Sequence, residues 1–251
     1  MEKMRYKAAV CSVTISALRA NERKDDKMTD GIKILYEDAD TLVIDKPAGL
    51  LSEQSEKAPS VVNALLSHGE NGFLSPITRL DREVAGVMLL AKTAKGAAYY
   101  SALMSDRERF KKEYLAVITG KMEEKGGELY DLLFKDSAKN KSYVVKRMRR
   151  GVKAASLAYE VLDEKEDAQD SLSLVRVVLH TGRTHQIRVQ FSSRRHPLLG
   201  DRKYGGGDAY PMGLLSYRLS FQTVKGKPLT LVSEQADRLP FSLFSFPDAE
   251  K

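Results

Sequence analysis

The chain has 251 residues, 42% of them hydrophobic, which is enough to bury a core and excludes a disordered tail. Its single cysteine, Cys11, excludes an intramolecular disulfide and a multi-cysteine zinc site. No apolar run approaches the roughly 18 residues that cross a bilayer, so a cytoplasmic protein without a membrane partner is the expectation. The formal charge of +7 is local, because residues 135–153 carry eight basic side chains against one acid, Asp136, and this accounts for the whole excess. A second basic cluster, Arg183, Arg188, Arg194, Arg195, Arg202 and Lys203, is balanced by acids elsewhere. Such regions suit a polyanion, since Lys and Arg that neutralise phosphates release condensed counterions. They equally suit a solubilising surface, and charge alone does not choose.

In chain order, residues 11–17 alternate small polar and apolar side chains, which reads as a short strand or as non-native upstream sequence rather than a signal-peptide core. Residues 20–30, "ANERKDDKMTD", are charged and aperiodic and read as a linker, so residues 1–30 form an extension before a catalytic domain at 31–251. "IKILYEDADTLVIDKPAGL" reads as a strand, an acidic turn and a strand at 42–45 stopped by Lys46-Pro47. "SVVNALLSHG" reads as a short helix, and "TAKGAAYYSALMSDRERF" has a rough helical face through Ala97, Tyr100 and Leu103. Strands are expected at 111–120, 142–147, 154–161, 172–180, 214–223 and 228–232. "THQIRVQFSSRR" reads as a helix with Thr184 placed to cap it. Strands outnumber helices and short turns join neighbours, so the expected class is α+β on a mixed, largely antiparallel sheet.

Three segments carry candidate chemistry. In "TRLDREVAGVMLLAKT", Asp81 sits between Arg79 and Arg82, and positive neighbours favour its ionised form; it is therefore a nucleophile, an electrostatic stabiliser or a surface salt-bridge partner. In "HTGRTHQIRVQ", His180 and His185 are five apart, not the spacing of a helical metal pair, and no third ligand follows, so no metal is expected. His185 reads as a hydrogen-bonding residue. Arg188, set between Ile187 and Val189, would be partly buried and require an anion, for which Asp81 is available. In "KKEYLAVITG", Tyr114, Ala116 and Ile118 share one strand face; such a tyrosine is usually core, and its ring can also stack on a base. "HPLLGDRKYGGG" shows a glycine loop without catalytic spacing.

In this order "LVIDKPAGL", "TRLDREVAGVMLLAKT", "KEYLAVITG", "GRTHQIRVQ" and "HPLLGDRKYGG" resemble the motifs of the RluA-type RNA pseudouridine synthases, across roughly residues 32–232. The sequence departs from the family at Thr78, at Val84-Ala85 and at Gln190. Many relatives carry an N-terminal S4 domain, and the compact form without it is expected here. The resemblance implies a catalytic domain with a central cleft that isomerises uridine in structured RNA, ribosomal or transfer, to pseudouridine without a cofactor. It implies Asp81 as nucleophile, Arg188 as its partner, and Tyr114 stacked on the uracil and placed to assist loss of the C5 proton. Arg79, beside the catalytic turn, would fill the space left by the flipped base. Arg79, Arg82, Arg183 and His185, together with Lys146, Arg147, Arg149 and Arg150, are the expected RNA contacts. A monomer with no protein partner is expected. The alternatives are a non-catalytic RNA-binding module of the same fold, and a hydrolase, which would need a second carboxylate, for which Glu83 is the nearby candidate.

Overall fold

A computed structural model describes residues 28–29, 31–67, 72–166 and 171–245. In chain order the elements are β1 (Met28–Thr29), β2 (Ile32–Glu37), β3 (Thr41–Lys46), α1 (Val61–Ser67), β4 (Ser75–Pro76), β5 (Ala85–Ala91), α2 (Ala94–Leu103) and β6 (Phe110–Thr119). They continue as β7 (Gly126–Asp136), β8 (Lys141–Val145), β9 (Val152–Glu166), β10 (Ser171–Leu179), α3 (Gln186–Ser192), β11 (Leu214–Gln222) and β12 (Pro228–Val232), with a 3-10 turn at Phe241–Leu243. The strands form one sheet in the order β1-β2-β3-β5-β11-β6-β10-β9-β7-β8, with β12 beside β11 and β4 beside β5. Every pairing is antiparallel except β5 with β11, so the α+β, mostly antiparallel expectation holds.

Strands buried on both faces read as continuous apolar runs, and β3 and β5 do so because layers cover both sides of them. On one side Leu42, Ile44, Met88 and Leu90 pack with Val61, Val62 and Leu65 of α1, and the same layer continues through Tyr114, Ala116 and Ile118 to Ile187 and Phe191 of α3. On the other side Val43, Val87 and Leu89 pack beneath Tyr100 and Leu103 of α2, while Leu115 and Val117 join a third cluster with Tyr217 and Phe241. Thr93 caps α2, its hydroxyl accepting the Gly96 N–H at 3.0 Å. The face bearing α1 and α3 is the one on which Tyr114 lies.

The parallel junction at the sheet centre is tight. Gly86 has φ +116°, and a Cβ there would stand 2.2 Å from the backbone oxygen of Ser216, its register partner across the junction. Only glycine meets both demands.

Three expectations need correction. β7 was not anticipated, because its exposed positions Tyr130 and Lys135 and its opening Gly126-Gly127 interrupt the alternation. The helix expected from Thr184 starts at Gln186, and its N-cap is His185 in the left-handed region at φ +53° with no side-chain cap; Thr184 instead offers its backbone oxygen to Ser142 Oγ at 2.7 Å. Met28 and Thr29, inside the expected linker, pair with Lys33 and Ile32. The strand expected at 11–17 lies outside the described residues. Among the described residues no helix is long and apolar enough to cross a membrane.

Gly86→Ala combines left-handed strain with a backbone overlap, and should lower the unfolding free energy by about 3 kcal/mol or more, as measured by urea denaturation.

Candidate active site

Asp81 occupies the turn that feeds β5, and its neighbours are clamped. Leu80 N–H donates to Ser52 Oγ at 2.9 Å, and that hydroxyl donates back to the Leu80 oxygen at 2.8 Å. Arg82 Nε donates to the Gly49 oxygen at 3.0 Å, and the Arg82 oxygen accepts from Gly49 N–H at 2.7 Å. Lys46 lies beneath this clamp without solvent exposure, its Nζ donating to the oxygens of Leu50 (2.9 Å), Pro47 (3.0 Å) and Arg82 (3.4 Å). Burial lowers its pKa from 10.5 to about 8, with Asp81 and Glu83 pulling the other way.

The charge facing Asp81 comes from α3. Arg188 Nη1 donates to Asp81 Oδ2 at 2.6 Å, while its Nε and Nη2 form a two-pronged pair with Asp201 at 2.7 and 2.8 Å. Such a fork matches carboxylate geometry and is stronger than a single contact. Asp201 is fully buried and also accepts the backbone N–H groups of Lys203 and Tyr204. Burial alone would lower the Arg188 pKa; the carboxylates, Asp201 ahead of Asp81, raise it well above the ordinary range. Its guanidinium also lies 5.2 Å from the Tyr204 ring centroid. Among the described residues Asp81 Oδ1 takes no hydrogen bond, and the side chain keeps 26% of its surface exposed.

Tyr114 is buried on the same face of the sheet. Burial pushes its hydroxyl up to about 12, with Asp81 adding to the rise and a hydrogen bond to Ser216 opposing it. His185 Nε2 stands 3.8 Å from Asp81 Oδ2, and its Nδ1 meets Tyr204 Oη at 2.9 Å.

The structure thus brings Asp81, Arg188, His185 and Tyr114 together and turns the other predicted arginines aside. Arg79 pairs with Glu53 at the exposed surface, Arg82 with Gly49, and Arg183 Nε with the Ala154 oxygen at 2.9 Å. The flanking arginines are therefore not what neutralises Asp81; Arg188, 107 positions later, is. Lys146, Arg147, Arg149 and Arg150 lie on the exposed loop between β8 and β9, with Arg149 over the Phe134 ring at 5.1 Å. Sequence reasoning missed Asp201, Tyr204 and Lys46. For Asp201 a signal existed, because a buried guanidinium has five N–H donors and one carboxylate cannot satisfy them. Lys46 closes an apolar strand and reads as a stop, and nothing in its spacing reveals the carbonyl cage.

The RNA pseudouridylate synthase model matches residues 40–193. An uncharacterized RNA pseudouridine synthase of Aquifex aeolicus (strain VF5) is 37% identical over 196 residues, covering 74% of this chain and 60% of that protein. The ribosomal large subunit pseudouridine synthase D of Yersinia pestis is 35% identical over 188 residues, covering 72% and 55%. The chain therefore spans less than two thirds of the length of these relatives. The solved structure titled human RNA pseudouridylate synthase domain containing 1 has the same fold, with a TM-score of 0.67 at 23% identity over 84% of this chain and 86% of that one. The chain belongs to the RNA pseudouridylate synthase family, in its RluA-type branch.

Two outcomes follow from this geometry. Asp201→Asn leaves a buried guanidinium half-paired and should lower the unfolding free energy by about 3 kcal/mol in urea titrations. Between about pH 8 and pH 10 the unfolded chain holds a proton on Lys46 that the folded chain releases, so this group makes stability rise with pH across that window and fall as pH drops through it. Lys46→Met should flatten that rise when unfolding free energies at the two ends are compared.

Proposed function

We propose that this chain isomerises uridine in structured RNA to pseudouridine, with Asp81 as nucleophile. The observation that carries this reading is the asymmetry of the Asp81 carboxylate: Oδ2 is gripped by Arg188, while Oδ1 takes no hydrogen bond from the described residues. A carboxylate fixed through one oxygen and open at the other is preorganised to attack, because its orientation is settled before substrate arrives.

In the reaction the target uridine is flipped from its stack, and exposed Arg79, beside the catalytic turn, takes the vacated space. Asp81 attacks the ribose or the base, or drives loss of the base through a glycal. The N1–C1′ bond breaks, the bound uracil rotates, a C5–C1′ bond forms, and the C5 proton leaves while N1 gains one. Atoms and electrons balance without an oxidant, a hydrolytic water or a cofactor. Tyr114 supplies the stacking face; its hydroxyl, near 12, is a phenol at neutral pH, which favours stacking over proton abstraction. Arg82, Arg183 and the exposed set Lys146, Arg147, Arg149 and Arg150 contact phosphates and contribute affinity more than sequence choice. The Yersinia pestis relative is named for the ribosomal large subunit, which supports ribosomal RNA as the first substrate to test, ahead of transfer RNA. We read residues 31–251 as one catalytic domain acting as a monomer.

The test is release of tritium to water from RNA carrying C5-tritiated uridine. Native protein should release it, and Asp81→Asn should reduce the rate by at least about 1,000-fold while still binding RNA. Binding by the native protein without release from ribosomal or transfer RNA would instead identify a non-catalytic RNA-binding module.

A further inference from the structure

His185 and Tyr204 form a buried pair beside Asp81 to which the steps above assign nothing. The protons on that pair can be counted. Tyr204 Oη accepts the backbone N–H of Ser142 at 2.8 Å, a group that can only donate. The one proton of the phenol then has a single acceptor in reach among the described residues, His185 Nδ1 at 2.9 Å. If Nδ1 carried a proton, it would donate to Oη and leave the phenol proton buried without an acceptor, which is costly in a protein interior. The ring is also fixed from its backbone side, since His185 holds the left-handed conformation at φ +53° where α3 begins.

We infer that Tyr204 donates to Nδ1 and fixes His185 as the neutral tautomer protonated at Nε2, the nitrogen that stands 3.8 Å from Asp81 Oδ2. Resting on the functional reading above, Tyr204 is then a positioning residue, and His185 is a neutral N–H donor aimed at the nucleophilic carboxylate. The gap exceeds a hydrogen bond, so this donor is held for Oδ2, or for a substrate oxygen, as the occupied site closes. Neutrality matters there. Arg188 already supplies the positive charge that Asp81 and Asp201 share, and an imidazolium would add a second cation against Oδ2 and weaken the nucleophile. The surroundings act in the same direction on balance: burial lowers the His185 pKa, Arg188 and Lys203 lower it further, and Asp81 and Asp201 only partly oppose them. The phenol, pushed up to about 12 mainly by burial, keeps its proton to donate. Lys141 Nζ also lies against the pair, 4.9 Å from the Tyr204 ring centroid.

The first measurement needs no RNA. A long-range proton–nitrogen correlation spectrum of the full chain with labelled histidine, at about pH 7, distinguishes the two tautomers and the imidazolium. The His185 signals are identified among the four histidines by their loss in His185→Gln. The expected result is a bare Nδ1 and a protonated Nε2. A proton on Nδ1 of the ring so identified, or an imidazolium there, overturns the inference.

The second measurement is the pH profile of tritium release. Tyr204→Phe should move the acid limb to higher pH, with a loss in kcat of about tenfold near pH 6 that shrinks toward pH 8. In the His185→Gln background, where the amide N–H cannot titrate, the same change should leave the limb in place. An equal loss at every pH in both backgrounds would mean a merely structural tyrosine and overturn the positioning role. Failure of the native protein to release tritium overturns the functional reading alone, because the spectrum judges the tautomer on resting protein.

Discussion

A guanidinium buried between two carboxylates is the constraint on which the rest of this site depends. Arg188 is 3% exposed, and at that depth an unpaired charge would cost several kcal/mol, so its partners must arrive with it. They come from distant stretches of chain. Asp81 is delivered by the turn into β5, and Asp201 by the loop after α3. That loop is wound tightly around its acid: the Asp201 oxygen accepts from both Gly205 and Gly206 N–H, and a Cβ on Gly206 would fall 1.7 Å from the Leu198 oxygen. The glycines that look like loop filler in the sequence are what let the backbone close on a buried carboxylate.

The same logic explains why the turn carrying Asp81 is held on both sides. Ser52 fixes Leu80, and Gly49 with Lys46 fixes Arg82, which leaves Asp81 little backbone freedom before it meets Arg188. Lys46 is costly to bury, and three backbone oxygens share its charge. Stability is spent here on orientation, a pattern expected where preorganised electrostatics carry the chemistry.

The outer strands are mechanically joined to this centre. Lys141 Nζ donates to the Lys203 oxygen at 2.7 Å, and Lys203 Nζ returns the contact to the Asn140 oxygen at 2.9 Å. Ser142 reaches Tyr204 and Thr184 from the same strand. The hairpin of β7 and β8, which leads into the exposed basic loop, is therefore tied through three consecutive residues to the loop that holds Asp201. The exposed basic loop and the loop that holds Asp201 thus share one hydrogen-bonded support.

Much of this was legible in the residues. The apolar runs of β3 and β5, the alternating faces of β6 and the helical face of α2 follow from local periodicity, which tertiary packing here reinforces. Asp81 and Arg188 were legible as a pair, because an arginine set among Ile187 and Val189 demands an anion. The partner of an exposed arginine was not: Arg79 and Arg82 stand beside Asp81 in sequence yet turn to Glu53 and Gly49, since adjacent side chains diverge and solvent removes any penalty for doing so. Nor was β7, whose exposed positions break the alternation. Sequence by itself determined that Arg188 must be partly buried and that its partner must be an anion, because that demand belongs to the side chain and its apolar neighbours. Only the tertiary structure decided which partner answered, that Arg188 takes two carboxylates and His185 a phenol, because hydrogen bonds are chosen by distances between segments that local periodicity does not encode.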